Sequence, residues 1–318
     1  MSLSIVFLDR ETLAADVHLR SPAVPHPWRD WAQTAAGDVI DRAADADIVV
    51  TNKVAIGGEV LEQLPRLKMI AVAATGVDRI DLAGCQERGI VVSNIRGHAT
   101  HSVSEHAFAL ILALRRNVLN YHEAIRRGRW QEAEQFCFLD YPILDLHGAR
   151  LGIIGAGTIG RQMGELAKAF GMIPLFSGRK GQKSPASPRV DWEEVLATSD
   201  IITLHCPLLP ETHNLLSMPE FRAMARRPLV INTGRGALID EADLVTALDE
   251  GLIAGAGLDV SVQEPPAPDS PLMTVLHRPD VILTPHIAWA SRDAMHTLVD
   301  QLIDNIEAFA AGQPVNVV

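Results

Sequence analysis

Three glycines at a fixed spacing constrain the fold of this chain more than any other feature. Gly155, Gly157 and Gly160 form a Gly-x-Gly-x-x-Gly pattern. A short apolar run precedes the pattern at 151–154, and apolar residues at helical spacing follow it up to residue 170. In that setting the first glycine permits a tight turn, the second lets backbone amides approach a phosphate, and the third brings helix and strand together. The pattern therefore predicts a strand–turn–helix unit that binds a dinucleotide, with a glycine-rich turn that binds no ligand as the alternative.

Apolar runs alternate with segments of helical spacing along the rest of the chain. In the first half the strand-like runs lie at 4–8, 47–51, 68–73 and 90–93, and a second alternating series begins at residue 150. Alternation of this kind is typical of parallel sheets covered by helices. Because 318 residues exceed what one core usually spans, we predict an α/β protein with two doubly wound parallel-sheet lobes.

Two helices and one loop stand out in this pattern. Residues 103–114 are predicted to form a buried connecting helix that opens with a capping box of Ser102 and Glu105. Residues 291–311 are predicted to form a long amphipathic helix that packs back on the first lobe. The stretch 181–188 is rich in Gly, Ser and Pro and is predicted to be a surface loop.

The charge and the hydropathy pattern exclude several classes of protein. The formal net charge is −11 and no dense basic run is present, which argues against a nucleic-acid partner because phosphate binding requires clustered Lys and Arg. No uncharged apolar run reaches the length of about 18 residues that a membrane span requires. We therefore predict neither a signal peptide nor a membrane segment, and a cytoplasmic location.

The three cysteines are widely spaced and lack a Cys-x-x-Cys pattern. We therefore expect reduced, structural cysteines and no metal site. Cys206 lies next to His205, which raises the alternative of a nucleophile with its base. Adjacent residues of a strand point to opposite faces, so a structural role is favoured.

Residues 177–180 bear on which dinucleotide binds. An NAD-binding protein usually has Asp or Glu at the end of the second strand, where the carboxylate binds the ribose hydroxyls. This sequence has Ser177, Gly178, Arg179 and Lys180 there. A hydroxyl and two cations suit a 2′-phosphate, so we predict that NADP(H) is preferred and that NAD(H) is possible. The alternative is that both cations are solvated loop charges.

Three polar residues follow strand-like runs of the second series, namely Arg235, Glu264 and His286. The carboxyl ends of parallel strands form the ligand-binding edge of an open α/β sheet, so we expect these side chains to lie at that edge. Reduction of a 2-oxo acid needs a cation for the carboxylate, a proton donor for the carbonyl oxygen and an acid that keeps the donor charged. Arg235, His286 and Glu264 suit these roles in that order, although each alone could be a cap, a phosphate ligand or a loop charge.

Seven motifs spread along the chain together point to one known family. They are AVAATGVDRIDL at 71–82, SNIRGHATHSVSEHAFALILAL at 93–114, LGIIGAGTIG at 151–160, LHCPLLPETHNLL at 204–216, INTGRGALIDE at 231–241, GLDVSVQEPP at 257–266 and TPHIAWAS at 284–291. The chain closely resembles the D-isomer-specific 2-hydroxyacid dehydrogenases, and within them the glycerate dehydrogenase or hydroxypyruvate (glyoxylate) reductase group. It departs from many relatives at Arg96, where they have Pro, and at the basic residues 179 and 180.

The resemblance implies roles for particular residues. Arg235, Glu264 and His286 would be the catalytic residues, and Arg235 and His286 would also contact the substrate. The backbone around four further residues would bind the substrate carboxylate: Ala74, Thr75, Gly76 and Val77. We also expect Trp289 to influence the choice of substrate. The resemblance also adds residues to the cofactor site that the glycine turn (Gly155, Gly157 and Gly160) and Ser177, Arg179 and Lys180 already predict. The added residues are Val103, Thr158, Ile159, Cys206, Pro207, Thr212, Thr233, Gly234 and Asp259.

The same resemblance implies a domain arrangement and an activity. A discontinuous, flavodoxin-like substrate domain would comprise 1–99 and 287–318, and a Rossmann nucleotide-binding domain would comprise 100–286 and form a homodimer. The activity would be NAD(P)H-dependent reduction of hydroxypyruvate or glyoxylate to the D-2-hydroxy acid, and the reverse oxidation. Two alternatives stay open: a dehydrogenase for another D-2-hydroxy acid, such as D-lactate or 3-phosphoglycerate, and a redox-sensing protein of the corepressor type.

Overall fold

The computed structural model describes residues 2–182, 186 and 188–318. Part of the loop predicted at 181–188 lies outside the described residues. The chain divides into two compact units: unit 1 comprises Met1–Ala99 and Ala290–Val318, and unit 2 comprises Thr100–Trp289. The second boundary lies three residues beyond the predicted one, so that 287–289 belong to unit 2.

The strands of the described residues form two sheets in which every strand pair is parallel. They are β1 Ile5–Phe7, β2 Trp28–Asp30, β3 Ile48–Thr51, β4 Met69–Val72, β5 Val91–Ser93, β6 Arg150–Ile154, β7 Ile173–Ser177, β8 Arg189–Val190, β9 Ile201–Leu204, β10 Leu229–Asn232, β11 Gly255–Leu258 and β12 Val281–Leu283. The sequence pattern did not predict β2 or β8, because both are short and incompletely buried.

The order of the strands identifies the topology of each unit. The sheet of unit 1 has the order β2-β1-β3-β4-β5, which is the flavodoxin-like arrangement. The sheet of unit 2 has the order β8-β7-β6-β9-β10-β11-β12, which is the Rossmann arrangement with a seventh strand at one edge. The predicted fold class is therefore confirmed. In unit 2 the strand order reverses between β6 and β9, and ligands of such sheets bind at the carboxyl ends of strands beside that reversal.

Helices connect the strands in both units. They are α1 Val39–Ala43, α2 Gly58–Glu62, α3 Leu82–Glu87, α4 Thr100–Arg116, α5 Val118–Arg126, α6 Thr158–Ala169, α7 Trp192–Thr198, α8 Met218–Ala223, α9 Glu241–Asp249, α10 Pro271–Thr274 and α11 Arg292–Ala310. The last helix belongs to unit 1, where it contacts β4, as predicted for the first lobe. Its first turn is capped by the Ser291 hydroxyl, which accepts a hydrogen bond from the amide of Ala294 at 3.2 Å.

The core of unit 2 lies on both faces of its sheet. Leu229 and Ile231 of β10 pack in a cluster with apolar residues of α4 and α6. Val230, between them, packs in a second cluster with residues of α7, α8 and α9. Successive residues of a strand point to opposite faces, so the mainly apolar strands β9, β10 and β11 are buried on both sides of the sheet.

The helix predicted at 103–114 is longer than expected. It begins at Thr100, so that Ser102 lies inside its first turn. The Ser102 hydroxyl donates a hydrogen bond to the carbonyl oxygen of Ala288 at 2.6 Å. The capping box predicted for Ser102 and Glu105 is therefore wrong, because the serine binds a distant loop of unit 2 instead of the start of its own helix.

None of the helices among the described residues is long and apolar enough to cross a membrane. Within the same part of the chain, no group of three His, Cys, Asp or Glu side chains could hold a metal ion. Cys85, Cys137 and Cys206 all carry free thiols.

Candidate active site

The glycine turn between β6 and α6 has the geometry that a dinucleotide requires. Gly155 has a φ of +104°, and a Cβ there would lie 2.5 Å from the backbone of His205. A Cβ on Gly160 would overlap the carbonyl oxygen of Gly155. At Gly157, the N-cap of α6, a Cβ would meet no described atom within 4 Å. The first and third glycines thus permit close packing, whereas the second faces open space beside a helix N-terminus, where a pyrophosphate fits.

The basic residues after β7 are not equivalent. Lys180 forms an ion pair with the buried carboxylate of Glu220 at 2.7 Å. The hydroxyl of Ser177 donates to the carbonyl oxygen of Gly178 at 2.8 Å, so its one proton is engaged. Arg179 is exposed, and no described carboxylate pairs with it. Of the predicted ligands for a 2′-phosphate, Arg179 therefore has the most available donors.

The other predicted cofactor residues of unit 2 follow its strands or lie on adjoining helices. Val103 is buried on α4, and Thr158 and Ile159 open α6. The rest follow β9, β10 and β11: Cys206, Pro207, Thr212, Thr233, Gly234 and Asp259.

The hydroxyl of Thr233 indicates whether a polar ligand fits the carboxyl edge of the sheet in unit 2. It is buried just after β10 and has no hydrogen-bond partner among the described residues. A buried hydroxyl without a partner costs about 1–3 kcal/mol, and a bound polar ligand would remove that cost. Together with the open space at Gly157, this side chain fits a dinucleotide at the carboxyl edge of the sheet.

Cys206 and His205 do not form a nucleophile and base. Burial raises the pKa of the Cys206 thiol to about 11 and lowers the pKa of His205 to about 4. The imidazole of His205 is paired with the hydroxyl of Thr203 at 2.8 Å. Both groups are therefore neutral near pH 7, which supports the structural role predicted for them.

Arg235 is held in a turn that directly follows β10. The side-chain amide of Asn232 donates to the carbonyl oxygen of Arg235 at 2.8 Å, and its oxygen accepts from the amide of Gly234 at 3.0 Å. The half-buried guanidinium of Arg235 donates to the carbonyl oxygen of Gly234 at 2.9 Å. Asn232 thus shapes the turn that carries the predicted carboxylate-binding cation.

Glu264 and His286 form a close pair. The Nδ1 atom of His286 lies 2.7 Å from Oε2 of Glu264, and Oε1 of Glu264 accepts a hydrogen bond from the amide of Ser261 at 3.3 Å. The exposed fraction is 24% for the His286 side chain and 33% for that of Glu264, so the imidazole can be reached by a small molecule. Because a carboxylate only accepts hydrogen bonds, Nδ1 carries a proton, which leaves Nε2 for proton exchange with a substrate.

The loop that carries His286 is tied to Asp259, which directly follows β11. The carboxylate of Asp259 accepts hydrogen bonds from the amides of Ile287 and Ala288 at 2.9 and 2.8 Å. It also accepts one from the hydroxyl of Thr284 at 2.6 Å. These bonds hold 284–288 beside the end of β11, and they engage a carboxylate that was predicted to lie around the cofactor.

The segment Ala74 to Val77, whose backbone is predicted to bind the substrate carboxylate, lies in unit 1 just after β4. The side-chain amide of Asn94 donates to the carbonyl oxygen of Thr75 at 2.8 Å, and the amide of Ile95 donates to that of Ala74 at 3.0 Å. Asn305 of α11 in turn donates to the carbonyl oxygen of Asn94 at 3.0 Å. This loop is therefore held by buried asparagines.

Sequence reasoning missed the residues that shape these loops. The role of Asn232 could have been predicted, because Asn is a common turn residue and this one lies between a strand and the sequence Thr-Gly-Arg-Gly. Asn94 and His106 give no local signal. His106 contacts Thr284, which is 178 positions away in the chain, at 2.9 Å.

The carboxyl edge of unit 2 thus combines a fitting site for a dinucleotide with a paired imidazole for proton transfer and a cation for an anionic substrate. This combination defines a class, the dinucleotide-dependent oxidoreductases. Comparison with known proteins narrows the class. Residues 108–288 match the family model described as the NAD-binding domain of the D-isomer specific 2-hydroxyacid dehydrogenases.

Three similar proteins each cover 88% or more of this chain. It is 46% identical to a glycerate dehydrogenase of Methylorubrum extorquens over 100% of this chain and 99% of the relative. It is 41% identical to a hydroxypyruvate reductase of Blautia hydrogenotrophica over 88% of this chain and 87% of that protein. A crystal structure of an NADPH-dependent glyoxylate/hydroxypyruvate reductase from Sinorhizobium meliloti, in complex with NADP and malonate, superposes with a TM-score of 0.84 at 27% identity, covering 99% of this chain and 96% of that one. The chain belongs to the D-isomer specific 2-hydroxyacid dehydrogenase family and is an oxidoreductase that acts on a CH–OH group with a nicotinamide cofactor.

Proposed function

We propose that this protein reduces hydroxypyruvate or glyoxylate to the corresponding 2-hydroxy acid, the D isomer in the case of hydroxypyruvate, with NADPH as the preferred hydride donor, and that it catalyses the reverse oxidation. The pair of His286 and Glu264, 2.7 Å apart, carries this proposal. The names of the relatives, a glycerate dehydrogenase and a hydroxypyruvate reductase, support the substrate class.

In the proposed mechanism His286 supplies the proton. The bound nicotinamide supplies the hydride that adds to C2 of the 2-oxo acid. As the C=O bond becomes a C–O single bond, the protonated imidazole donates the proton on Nε2 to the developing alkoxide, and the neutral imidazole remains. The Glu264 carboxylate stabilises the imidazolium beforehand and fixes the orientation of the ring. In the reverse direction the neutral imidazole takes the hydroxyl proton.

Arg235 is proposed to bind the substrate carboxylate. A guanidinium can hold a carboxylate with two parallel hydrogen bonds, and such charge-assisted bonds fix position as well as contribute affinity. Ala74 to Val77 remain a predicted second group of carboxylate contacts, and Trp289 remains a predicted determinant of substrate choice. The Nε1 atom of Trp289 donates to the carbonyl oxygen of His286 at 3.0 Å, so its ring is fixed close to the proton donor.

NADPH preference is proposed to depend mainly on Arg179. The similar reductase of S. meliloti is described as NADPH-dependent. In this chain Lys180 is engaged by Glu220, whereas Arg179 has no described acidic partner. A guanidinium that contacts the 2′-phosphate of NADPH would contribute about 1.5–3 kcal/mol, which corresponds to a preference of roughly 10- to 150-fold.

We also propose a homodimer formed through unit 2, in the cytoplasm. Segment 118–144 carries large apolar side chains that are unusually exposed, among them Phe136 at 88% and Leu139 at 77%. Exposed apolar side chains clustered in one segment are typical of a protein interface. Light scattering should give twice the chain mass, and the double substitution Phe136→Ser with Leu139→Ser should reduce it toward the monomer. A monomeric wild type would refute the dimer.

The activity is tested by initial rates with hydroxypyruvate, glyoxylate and pyruvate, each with NADPH and with NADH. We expect efficient turnover of hydroxypyruvate or glyoxylate, and His286→Gln should abolish it while NADPH still binds. Preference for pyruvate would indicate a lactate-forming enzyme instead. Tight NADPH binding without turnover of any 2-oxo acid would favour the redox-sensing alternative.

Cofactor preference is tested by a matched pair of substitutions. Arg179→Gln should lower kcat/KM for NADPH roughly 10- to 150-fold and leave kcat/KM for NADH within about threefold. Lys180→Gln, the control in the same turn, should have a much smaller effect because Glu220 already holds Lys180. Equal losses in both variants would contradict the assignment to Arg179.

A further inference from the structure

The backbone of His286 adopts a conformation that other contacts must maintain. Its φ is +55°, in the left-handed region that side chains with a Cβ rarely adopt. Such a residue persists only where its surroundings hold it in place. Its own amide donates to the carbonyl oxygen of Asp259 at 2.8 Å, so part of the support comes from the end of β11.

The carboxylate of Asp259 provides more of that support. Its side chain is fully buried. One carboxylate oxygen accepts from the hydroxyl of Thr284 at 2.6 Å and from the amide of Ile287 at 2.9 Å, and the other accepts from the amide of Ala288 at 2.8 Å. Asp259 therefore binds the loop 284–288 on both sides of His286.

Two side chains of helix α4 form hydrogen bonds with the same loop, 284–288. Ser102 donates to the carbonyl oxygen of Ala288 at 2.6 Å, and Nε2 of His106 lies 2.9 Å from the hydroxyl oxygen of Thr284. Residues four positions apart lie on the same face of a helix. One face of α4 thus contacts both ends of the loop that carries the imidazole.

The chemistry of the donors gives the chain of hydrogen bonds a direction. An ionised carboxylate can only accept, and the Thr284 hydroxyl lies 2.6 Å from Oδ1 of Asp259 but 3.4 Å from the carbonyl oxygen of Leu258, so its single proton is donated to Asp259. The Thr284 oxygen can then only accept from His106, which must carry a proton on Nε2. The order is His106 to Thr284 to Asp259, and Nε2 of His106 also lies 3.5 Å from Oδ1 of Asp259, so every member has its partners within unit 2.

We propose that His106 and Thr284 are positioning residues for the catalytic His286, and that they act by fixing Asp259 and the loop 284–288. The network holds the backbone of His286 so that Nδ1 forms its hydrogen bond with Glu264 and Nε2 remains oriented for proton transfer. A displacement of about 1 Å at a reacting group can cost roughly 100-fold in rate. The kinetic consequence rests on the proposed function, whereas the effect on the geometry of His286 does not.

The geometry is tested without substrate by NMR on protein labelled with ¹⁵N-histidine. The resonance of the His286 Nδ1–H that is hydrogen-bonded to Glu264 is assigned by its loss in His286→Gln. Thr284→Val keeps the shape of the side chain but removes the hydroxyl, and it should shift or broaden this resonance. Thr284→Ser keeps the hydroxyl and should preserve it. An unchanged resonance in Thr284→Val would overturn the proposal.

The kinetic test uses two pairs of variants with hydroxypyruvate and NADPH. Thr284→Val and His106→Leu should lower kcat about 10- to 100-fold, leave both KM values within about threefold, and raise the deuterium isotope effect on kcat because hydride transfer becomes limiting. Thr284→Ser and His106→Gln, which keep the hydrogen-bonding group, should recover most of the rate. Thr246→Val removes the hydroxyl that binds Ala242 on α9 and serves as the control for a lost threonine hydroxyl elsewhere.

The outcomes separate this inference from the proposed function. If the wild type turns over none of the 2-oxo acids but the His286 resonance responds as expected, the proposed function fails and the positioning role stands. Equal losses in Thr284→Val and Thr284→Ser would overturn the role of the hydroxyl. A rise in the KM for NADPH alone would also overturn it, because Asp259 would then act on the cofactor. The His106 pair applies the same criteria if Thr284→Val does not fold.

Discussion

Two alanine substitutions in the glycine turn should separate binding from folding. Gly157 and Gly160 lie three residues apart, yet their surroundings are opposite. A Cβ at 157 meets no described atom within 4 Å, and the backbone there, with φ −73° and ψ −166°, is extended and suits alanine. A Cβ at 160 would overlap the carbonyl oxygen of Gly155.

The magnitudes follow from these surroundings. Gly157→Ala should change the free energy of unfolding by no more than about 0.5 kcal/mol. It should weaken NADPH binding roughly 10- to 150-fold, because a lost charge-assisted hydrogen bond to a phosphate costs about 1.5–3 kcal/mol. Gly160→Ala overpacks the contact between helix and strand and should cost about 1–3 kcal/mol of stability, which lowers Tm by roughly 2–12 °C.

The assay measures both quantities for both variants. Calorimetry without cofactor gives Tm, and titration followed by nicotinamide fluorescence gives the Kd for NADPH. Gly157→Ala should keep its Tm and lose affinity, whereas Gly160→Ala should lose Tm. Wild-type affinity in Gly157→Ala would refute the placement of the pyrophosphate beside residue 157. An unchanged Tm in Gly160→Ala would refute the packing argument.

Three further predictions concern single groups. Glu264→Gln keeps a hydrogen-bond acceptor for the catalytic imidazole but removes the charge, so kcat should fall about 5- to 30-fold with unchanged NADPH affinity; full activity would contradict its role. Cys206→Ala should keep kcat within about tenfold, because burial raises the pKa of the thiol to about 11 and leaves no reactive thiolate near pH 7; complete inactivation would contradict this. Although burial acts to raise the pKa of Asp47, hydrogen bonds from the amide of Ser4 and from Lys68, together with the positive charges of Lys68 and Arg66, outweigh it and lower that pKa. Asp47 therefore stabilises the fold above its unfolded pKa of about 3.9, and this contribution is lost as pH falls through the lower folded pKa. The difference in Tm between wild type and Asp47→Asn should accordingly shrink as pH falls from about 5 to 3, and a constant difference would contradict it.

The parts of the fold that could be predicted depend on local patterns. Mainly apolar runs predicted β3, β4, β9 and β10, in which every residue is buried, because a strand covered on both faces carries few polar side chains. The edge strands β2 and β8 are short and partly exposed and lack that pattern. Ser102 and Glu105 have the local spacing of a capping box, but the hydroxyl of Ser102 donates to the carbonyl oxygen of Ala288, 186 positions away in the chain.

The candidate site likewise contains features that the sequence predicted and contacts that only the tertiary structure revealed. Spacing and residue chemistry were enough to predict the glycine turn. They also singled out Arg235, Glu264 and His286, which follow strands whose carboxyl ends share one edge, and the catalytic role of these residues stays a prediction. The sequence pattern could not distinguish Lys180 from Arg179, since only folding brings the carboxylate of Glu220 to one of them. Likewise, the left-handed backbone of His286 is maintained by contacts with β11 and α4. Periodicity is a property of neighbours in the chain, whereas hydrogen bonds between distant residues arise only when packing brings their donors and acceptors within about 3 Å.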